Sequence, residues 1–162
     1  MKKLYIFLLI LLAGVIYFYY TKPSICSKSY EGIRCSINNE SYKENVTIKL
    51  DGKYTKKPFS YDVFEGDLYI NNDILKNVKL EFDKFNNSPI RYDDKKSNTL
   101  TTYGYIMISD NIDKLTILVA EEDINNDSKS WHYENGLIIS APTDTKENAI
   151  RIADQLLTKP HQ

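Results

Sequence analysis

The sequence has few of the residues that most often carry catalysis or bind metals. Its 162 residues include two cysteines, two histidines and one tryptophan. It contains no Gly-x-Ser-x-Gly nucleophile turn, no glycine-rich phosphate loop and no His-Glu-x-x-His zinc motif. His161 is next to the last residue, and His132 has no accompanying acid–base set. We therefore expect a protein that is not an enzyme and that binds no cofactor.

The chain also lacks a strong excess of charge of either sign. Lys and Arg number 21 against 22 Asp and Glu, which leaves a net charge of −1. Nucleic-acid-binding domains concentrate positive charge on one face, so we expect no nucleic-acid partner. The cluster of Lys53, Lys56 and Lys57 is typical of a solvated strand edge. Contact of these lysines with anionic lipid headgroups or wall polymers is the alternative.

Charge is completely absent from one long apolar run, Leu4–Tyr20. At about 1.5 Å per residue, a helix over this run is roughly 25 Å long, slightly less than a hydrocarbon core of about 30 Å. Tyr17, Tyr19 and Tyr20 at its end suit the lipid headgroup region, where an apolar ring and a hydroxyl are both accommodated. The run therefore predicts a transmembrane signal anchor at residues 4–20 that contacts the lipid bilayer.

The residues around the apolar run predict its orientation. Lys2 and Lys3 precede the run and, by the positive-inside rule, make residues 1–3 a cytoplasmic tail. We expect a single-pass protein of a bacterial cell membrane, with the N-terminus cytoplasmic and the C-terminus outside. A secreted protein with a cleaved leader is the alternative, with cleavage between residues 21 and 24. The bulky Val15–Tyr20 after Ala13 and Gly14 is unlike a cleavage site, which favours the anchor.

The two cysteines, Cys26 and Cys35, follow the apolar run closely. An even number of cysteines outside the cytoplasm favours a disulfide, and a short loop closed in this way gains roughly 2–3 kcal/mol. Two free thiols are the alternative. Metal binding is disfavoured, because neither a second cysteine pair nor a nearby histidine is present. The sequence therefore predicts a Cys26–Cys35 disulfide.

Beyond the cysteines, apolar residues recur mostly with the period of two that indicates half-buried strands. This alternation covers 46–54, 61–70 and 78–82, and further strand patterns occupy 101–109 and 115–120. Gly52 and Gly66 fall in the apolar phase of two neighbouring strands, which favours one long, bent strand around Gly52 and a strongly curved sheet. The polar residues 84–99 predict the longest loop.

The C-terminal part has a helical pattern. Apolar residues at spacings of three and four predict an amphipathic helix over 145–157, capped by Asp144. The predicted fold class is α+β: an N-terminal transmembrane helix, then a curved, mostly antiparallel sheet of six or seven strands with one C-terminal helix packed on it. The predicted division is a juxtamembrane connector at 21–33 and an extracytoplasmic β-rich domain at 34–158.

Tyrosine is abundant, with 13 residues, and several lie in the predicted strands. Strand tyrosines commonly pack against cross-strand neighbours, but exposed ones can bind a sugar or a peptide. The candidate contact residues are Tyr54, Tyr61, Tyr69, Tyr103 and Tyr105. We expect a membrane-anchored, non-enzymatic module with a binding, assembly or accessory role at the cell envelope. Its expected partner is an envelope protein or a wall polymer, and an edge strand offers a place for a partner strand.

A weak calcium-loop pattern follows the last long strand. Asp123, Asn125, Asp127 and Glu134 place oxygen ligands at the first, third, fifth and twelfth positions of such a loop. Ser128 stands where the sharp turn needs glycine, and the flanking residues have strand patterns rather than helical ones. A solvated turn is therefore favoured over a metal site.

An envelope-polymer hydrolase is the alternative function. Sugar cleavage needs two carboxyl groups that face each other across a groove, about 5–9 Å apart. Glu65 and Asp67 are two residues apart on one predicted strand and so share a face. The strand carboxylates available for this chemistry are Asp62, Glu65, Asp67, Glu81 and Asp83.

Overall fold

The computed structural model of the chain describes residues 2–39, 41–94, 99–122, 129–131 and 136–158. Along the chain, an N-terminal helix is followed by an antiparallel sheet of eight strands and then by a C-terminal helix. This confirms the α+β class, with slightly more strands than predicted. The elements are α1 (Lys2–Thr21), β1 (Ser24–Ser36), β2 (Lys43–Thr55), β3 (Asp62–Ile70), β4 (Asp73–Phe82), β5 (Asn87–Asp94), β6 (Thr99–Ile108), β7 (Leu115–Val119), β8 (Glu121–Glu122), β9 (Lys129–Ser130), β10 (Leu137–Ala141) and α2 (Lys146–Leu157).

The main sheet curls into a nearly closed up-and-down barrel. Its strand order is β4-β3-β2-β1-β10-β7-β6-β5, while β8 and β9 form a separate small pair. β1 is hydrogen-bonded to β2 on one side and to β10 on the other. The strands of this sheet that come first and last along the chain, β1 and β10, are therefore neighbours. The two edge strands, β4 and β5, are consecutive in the chain and joined by residues 83–86. The remaining seam of the barrel therefore lies between β4 and β5.

Two glycines permit the close contact of β2 and β3. Gly52 and Gly66 are direct partners in the β2–β3 ladder, and β2 continues through Gly52 as one strand. A Cβ on Gly52 would lie 2.3 Å from the Glu65 carbonyl oxygen. Only glycine leaves room for so close an approach of two backbones. The prediction of one long strand with a glycine at a close backbone contact is confirmed.

The alternation of side chains divides the core into two clusters. The inner cluster fills the barrel, and the second lies outside it, between the sheet and α2. The inner cluster includes Ile48, Leu50, Phe64, Leu80, Ile106 and Ile117. The outer cluster joins Ile33, Cys35, Met107, Leu118 and Ile138 of the sheet to Ala149, Ile152, Ala153 and Leu156 of α2.

Helix α2 occupies nearly the range that its apolar spacing predicts. The N-cap is Thr145, whose side chain accepts a hydrogen bond from the Asn148 N–H at 3.3 Å. The predicted cap, Asp144, therefore lies one residue too early. Capping by Thr145 satisfies a backbone donor that the first turn of a helix leaves without a partner.

The structure corrects the expected loop and the expected connector. β1 begins at Ser24, so most of the predicted connector 21–33 is strand, and β5 lies inside the predicted loop 84–99. Both strands carry polar residues on their inward side: Lys28 in β1 and Ser88 in β5. The Lys28 Nζ donates to the Ile112 carbonyl oxygen at 2.9 Å, so the ammonium group has a hydrogen-bond acceptor from a distant part of the sequence. Because these inward residues are polar, the alternation of apolar and polar residues that indicates a strand is not visible in the sequence.

The predicted disulfide is wrong, since Cys26 and Cys35 are free thiols. Both belong to the single strand β1, where successive residues advance by about 3.3 Å. Residues nine positions apart are then about 30 Å apart, whereas a disulfide needs Cα atoms within about 7 Å. Cys26 belongs to the inner cluster and Cys35 to the cluster under α2, so the two side chains also lie on opposite faces. Burial raises the pKa of each thiol.

Helix α1 stands apart from the two clusters. It is long and apolar enough to cross a membrane, and no part of its span is buried by the rest of the protein. Lys22 and Pro23 alone separate its end from β1. The barrel therefore begins within a few ångströms of the helix end, because two residues extend at most about 7 Å.

Candidate binding groove

A groove of about 540 Å³ lies along the seam between β4 and β5. We call it the seam groove. Its walls come from the exposed side chains of the two edge strands, and β6 and the residue before β3 complete them. The lining residues are Tyr61, Lys76, Asn77, Lys79, Glu81, Asp83, Asn87, Ser88, Pro89, Arg91, Tyr92, Asp93, Leu100 and Tyr105.

The seam opens because a proline and a serine interrupt the pairing of β4 with β5. At the turn, the Asp83 N–H donates to the Asn87 carbonyl oxygen at 3.0 Å. Continued pairing would next join Glu81 and Pro89, but proline has no N–H to donate. The Glu81 N–H instead donates to Ser88 Oγ at 2.9 Å, and the Ser88 hydroxyl donates to the Pro89 carbonyl oxygen at 3.3 Å. The Ser88 hydroxyl thus bridges Glu81 and Pro89, in place of the direct backbone hydrogen bond that would close the barrel.

Ser88→Ala is expected to lower the free energy of unfolding by about 1 kcal/mol, because it leaves the part-buried Glu81 N–H without its acceptor. Ser88 itself is 1 % exposed, so water cannot replace the hydroxyl without structural change. Urea unfolding of the full chain in detergent, followed by circular dichroism, measures the change. The matched control is Ser27→Ala on the exposed face of β1, expected to change stability by less than about 0.5 kcal/mol. Equal effects of the two substitutions would show that the hydroxyl bridge is not structural.

The groove combines apolar and charged side chains. Tyr61, Tyr105 and Leu100 expose 55 %, 43 % and 66 % of their surface, which leaves large apolar areas accessible in one recess. The lining also carries three cationic and three anionic side chains: Lys76, Lys79 and Arg91 against Glu81, Asp83 and Asp93. This balance gives the groove no preference for a ligand of one charge, and it suits a chain molecule with polar and apolar groups.

The structure brings together two of the five candidate contact tyrosines, Tyr61 and Tyr105. Tyr54 is buried inside the barrel, and its hydroxyl donates to Asp62 Oδ2 at 2.9 Å. Tyr103 packs against the inner cluster and accepts a hydrogen bond from Arg34 at 3.0 Å. Tyr69 lies outside the groove, with Lys49 Nζ 5.4 Å from its ring centroid.

The position of Tyr103 depends on an irregularity in the β5–β6 ladder. The register shifts between Ile90 and Arg91, whose partners are Gly104 and Thr102. Tyr103 is therefore the extra residue of a bulge, and the bulge turns its side chain toward the barrel interior. A strict alternation from Tyr105 would have placed Tyr103 on the outer face.

Most of the strand carboxylates hold loops and turns in place. Asp62 Oδ1 accepts from the Lys57 N–H at 2.8 Å, and Asp67 Oδ1 accepts from the Asn77 N–H at 2.9 Å. Asp83 Oδ1 accepts from the N–H groups of Phe85 and Asn87 at 2.9 and 3.0 Å, which orders the turn between β4 and β5. These oxygens serve the fold.

The remaining candidates, Glu65 and Glu81, lie beside lysines. Glu65 is the ladder partner of Lys53 on β2 and of Lys79 on β4. The Lys79 ammonium lies 2.6 Å from the Glu81 carboxylate and lowers the pKa of that group. A general acid for glycoside cleavage needs a raised pKa, which is opposite to the shift at Glu81.

The weak calcium pattern falls in a part of the chain that is not described. Asp123, Asn125, Asp127 and Glu134 lie outside the described residues. Within the described ranges, no group of three or more His, Cys, Asp or Glu side chains is arranged to hold a metal ion.

Sequence reasoning missed the β5 side of the groove: Ser88, Pro89 and Arg91. A signal was present, since Ser88, Ile90 and Tyr92 alternate and turn toward the interior, but Ile90 is its only aliphatic residue. The fold and its groove define the class of protein as a nearly closed antiparallel barrel on an apolar N-terminal helix. Comparison with protein-family models, curated proteins and solved structures found no match to this chain.

Proposed function

We propose that the chain is a membrane-anchored, non-enzymatic binding module of the cell envelope, and that the seam groove binds an extended segment of a partner envelope protein. The observation that supports this proposal is the groove itself, in which Tyr61, Leu100 and Tyr105 are exposed beside the two edge strands. Concave sites with accessible aromatic and aliphatic side chains are the usual binding sites of small domains.

The edge strands favour a polypeptide as the ligand. An edge strand presents backbone N–H and C=O groups that can pair with an added strand. The N–H groups of Glu81 and Asp83 are directed across the seam, where Ser88 Oγ and the Asn87 carbonyl oxygen accept them. The N–H group of Lys79, two residues earlier, has the same direction and lies beyond these two bonds, where an added strand has access to it. An extended peptide can pair with the Lys79 end of this edge while its side chains contact the tyrosine rings and the charges of the groove.

The membrane location in this proposal rests on α1. Its length and apolar surface suit a single membrane crossing. The lysines before the apolar run favour a cytoplasmic N-terminus, so the barrel and its groove lie outside the membrane. The short link of Lys22 and Pro23 keeps the barrel near the bilayer, where its partners are other envelope components.

The test is site-specific photo-crosslinking in intact cells, with the full chain carrying the photoreactive residue at position 100, inside the groove. A chain with the same residue at position 69, on the outer face away from the groove, is the matched control. We expect a crosslink from position 100 to one segment of one envelope protein, and none from position 69. In the same cells, protease added from outside should remove a C-terminal tag while α1 stays with the membrane.

A synthetic peptide of the crosslinked segment then measures the contribution of the groove. Tyr105→Ala is expected to weaken binding to the purified full chain at least tenfold, which corresponds to about 1.4 kcal/mol, because the ring is a major apolar surface of the site. Tyr69→Ala should leave the affinity within about twofold of the wild-type value. Crosslinks to wall glycan from position 100, or equal labelling from the two positions, would contradict a peptide groove.

A further inference from the structure

A second exposed surface lies at the barrel end nearest to α1. Because α1 leads into β1 and Ser24 is paired with Tyr54, the end of β2 and the residues that follow it lie beside the helix end. We call this the juxtamembrane surface. It consists of Ile25, Lys53, Lys56, Lys57 and Phe59, all exposed.

The apolar members of this surface are nearly free of protein contact. Phe59 is 90 % exposed and Ile25 is 88 % exposed. The Phe59 ring stacks on Tyr17 of α1, with ring centroids 6.5 Å apart and an angle of 17° between the planes. Tyr17 lies in the last turn or so of the apolar run, at the depth expected for the lipid headgroups. The contact therefore places Phe59 at the same depth beside the helix.

The charged members of this surface are lysines, and all of them are exposed. None of the ion pairs found in the described part of the chain involves Lys22, Lys53, Lys56 or Lys57. The Asp62 carboxylate accepts hydrogen bonds from the Lys57 N–H and the Tyr54 hydroxyl, so its oxygens are bound within the barrel. Glu65, the ladder partner of Lys53, offsets only part of this charge. Lysines without an ion-pair partner among the described residues thus share this surface with an exposed aromatic ring.

We propose that the juxtamembrane surface is a second membrane contact, in which Phe59 and Ile25 enter the interfacial layer and the lysines bind anionic lipid headgroups. Exposed aromatic and aliphatic side chains gain from leaving water, and lysines are attracted to an anionic bilayer surface. Two separate contacts, α1 and this surface, hold the barrel at one tilt and present the seam groove in a constant direction. This inference rests on insertion of α1, which the proposed function includes.

The experiment uses the full chain with Phe59→Trp in vesicles that contain anionic lipid and lipids brominated at a shallow or a deep acyl position. The signal of the wild-type chain, which contains only Trp131, is the baseline. We expect the added tryptophan to be quenched at least twice as strongly by the shallow bromines as by the deep ones. Tyr42→Trp, near the far end of the barrel, is the matched control and should show no quenching above the baseline.

Charge reversal tests the lysines separately. In anionic vesicles, Lys53→Glu, Lys56→Glu and Lys57→Glu together should reduce quenching of the tryptophan at position 59 at least twofold, and in zwitterionic vesicles they should have no effect. Vesicle flotation shows whether α1 is inserted. Failure to float would overturn the anchor and this inference together. Flotation with an unquenched tryptophan at position 59 would overturn this inference alone, and charge reversal without effect in anionic vesicles would overturn the role of the lysines.

Discussion

Gly52→Ala is expected to lower the free energy of unfolding by about 3 kcal/mol or more. The new Cβ would lie 2.3 Å from the Glu65 carbonyl oxygen and 2.7 Å from the Gly66 Cα. These are backbone atoms of a paired strand, so no side-chain rotation can relieve the clash. The strands β2 and β3 must separate, and the hydrogen bonds of their ladder are strained.

Urea unfolding of the full chain in detergent gives the free energy for this comparison. Gly66→Ala should have a similar effect, since its Cβ would lie 2.3 Å from the Asp51 carbonyl oxygen. Ser29→Ala on the exposed side of β1 is the control, with an expected change below about 0.5 kcal/mol. A loss of less than about 1 kcal/mol at either glycine would mean that the two strands can move apart without cost, and the curvature would need another cause.

Ile152→Asp should destabilise the protein by roughly 3–5 kcal/mol, because it places a carboxylate without a partner between α2 and the sheet. Ile152 is 7 % exposed and belongs to the cluster that joins α2 to Ile33 and Ile138. The substitution also removes the apolar contact of the isoleucine, worth about 1.5–3 kcal/mol when fully buried. We expect α2 to detach from the barrel before the remaining strands unfold.

A substitution to aspartate at the preceding residue separates the effect of burial on stability from the effect of helix propensity. Arg151→Asp introduces the same side chain on the exposed face of α2 and should cost less than about 1 kcal/mol. Circular dichroism at increasing urea concentration measures the two variants, and proteolysis detects release of the helix. Similar losses for the two variants would indicate that α2 contributes through its own helical stability rather than through its buried face.

The features that the sequence predicts well depend on residues close together in the chain. The apolar run at Leu4–Tyr20 needs only its own composition to indicate a membrane-spanning helix. The period of two over 46–54 and the period near 3.6 over 145–157 reflect faces that neighbouring residues create within one element. These segments correspond to α1, β2 and α2, with ends that differ by only a few residues.

Most of the errors arise from contacts between distant segments. Lys28 is tolerated on the inner side of β1 because the carbonyl oxygens of Asn111 and Ile112 bind its ammonium group. Ser88 is tolerated in β5 because it bridges to β4. The disulfide prediction used the number and location of the cysteines, but the extension of β1 over Ser24–Ser36 keeps them apart. None of these partners can be recognised from the local sequence.

By itself, then, the sequence determined the apolar N-terminal helix, the curvature at Gly52 and Gly66 and the amphipathic C-terminal helix, since each depends on the size and polarity of adjacent side chains. The tertiary structure alone decided the position of the seam, the exposure of Tyr61 and Tyr105 and the burial of Tyr54. These depend on strand order and register, which arise when hydrogen bonds join residues far apart in the chain. The groove belongs to this second group, because its walls come from β4, β5 and β6 together.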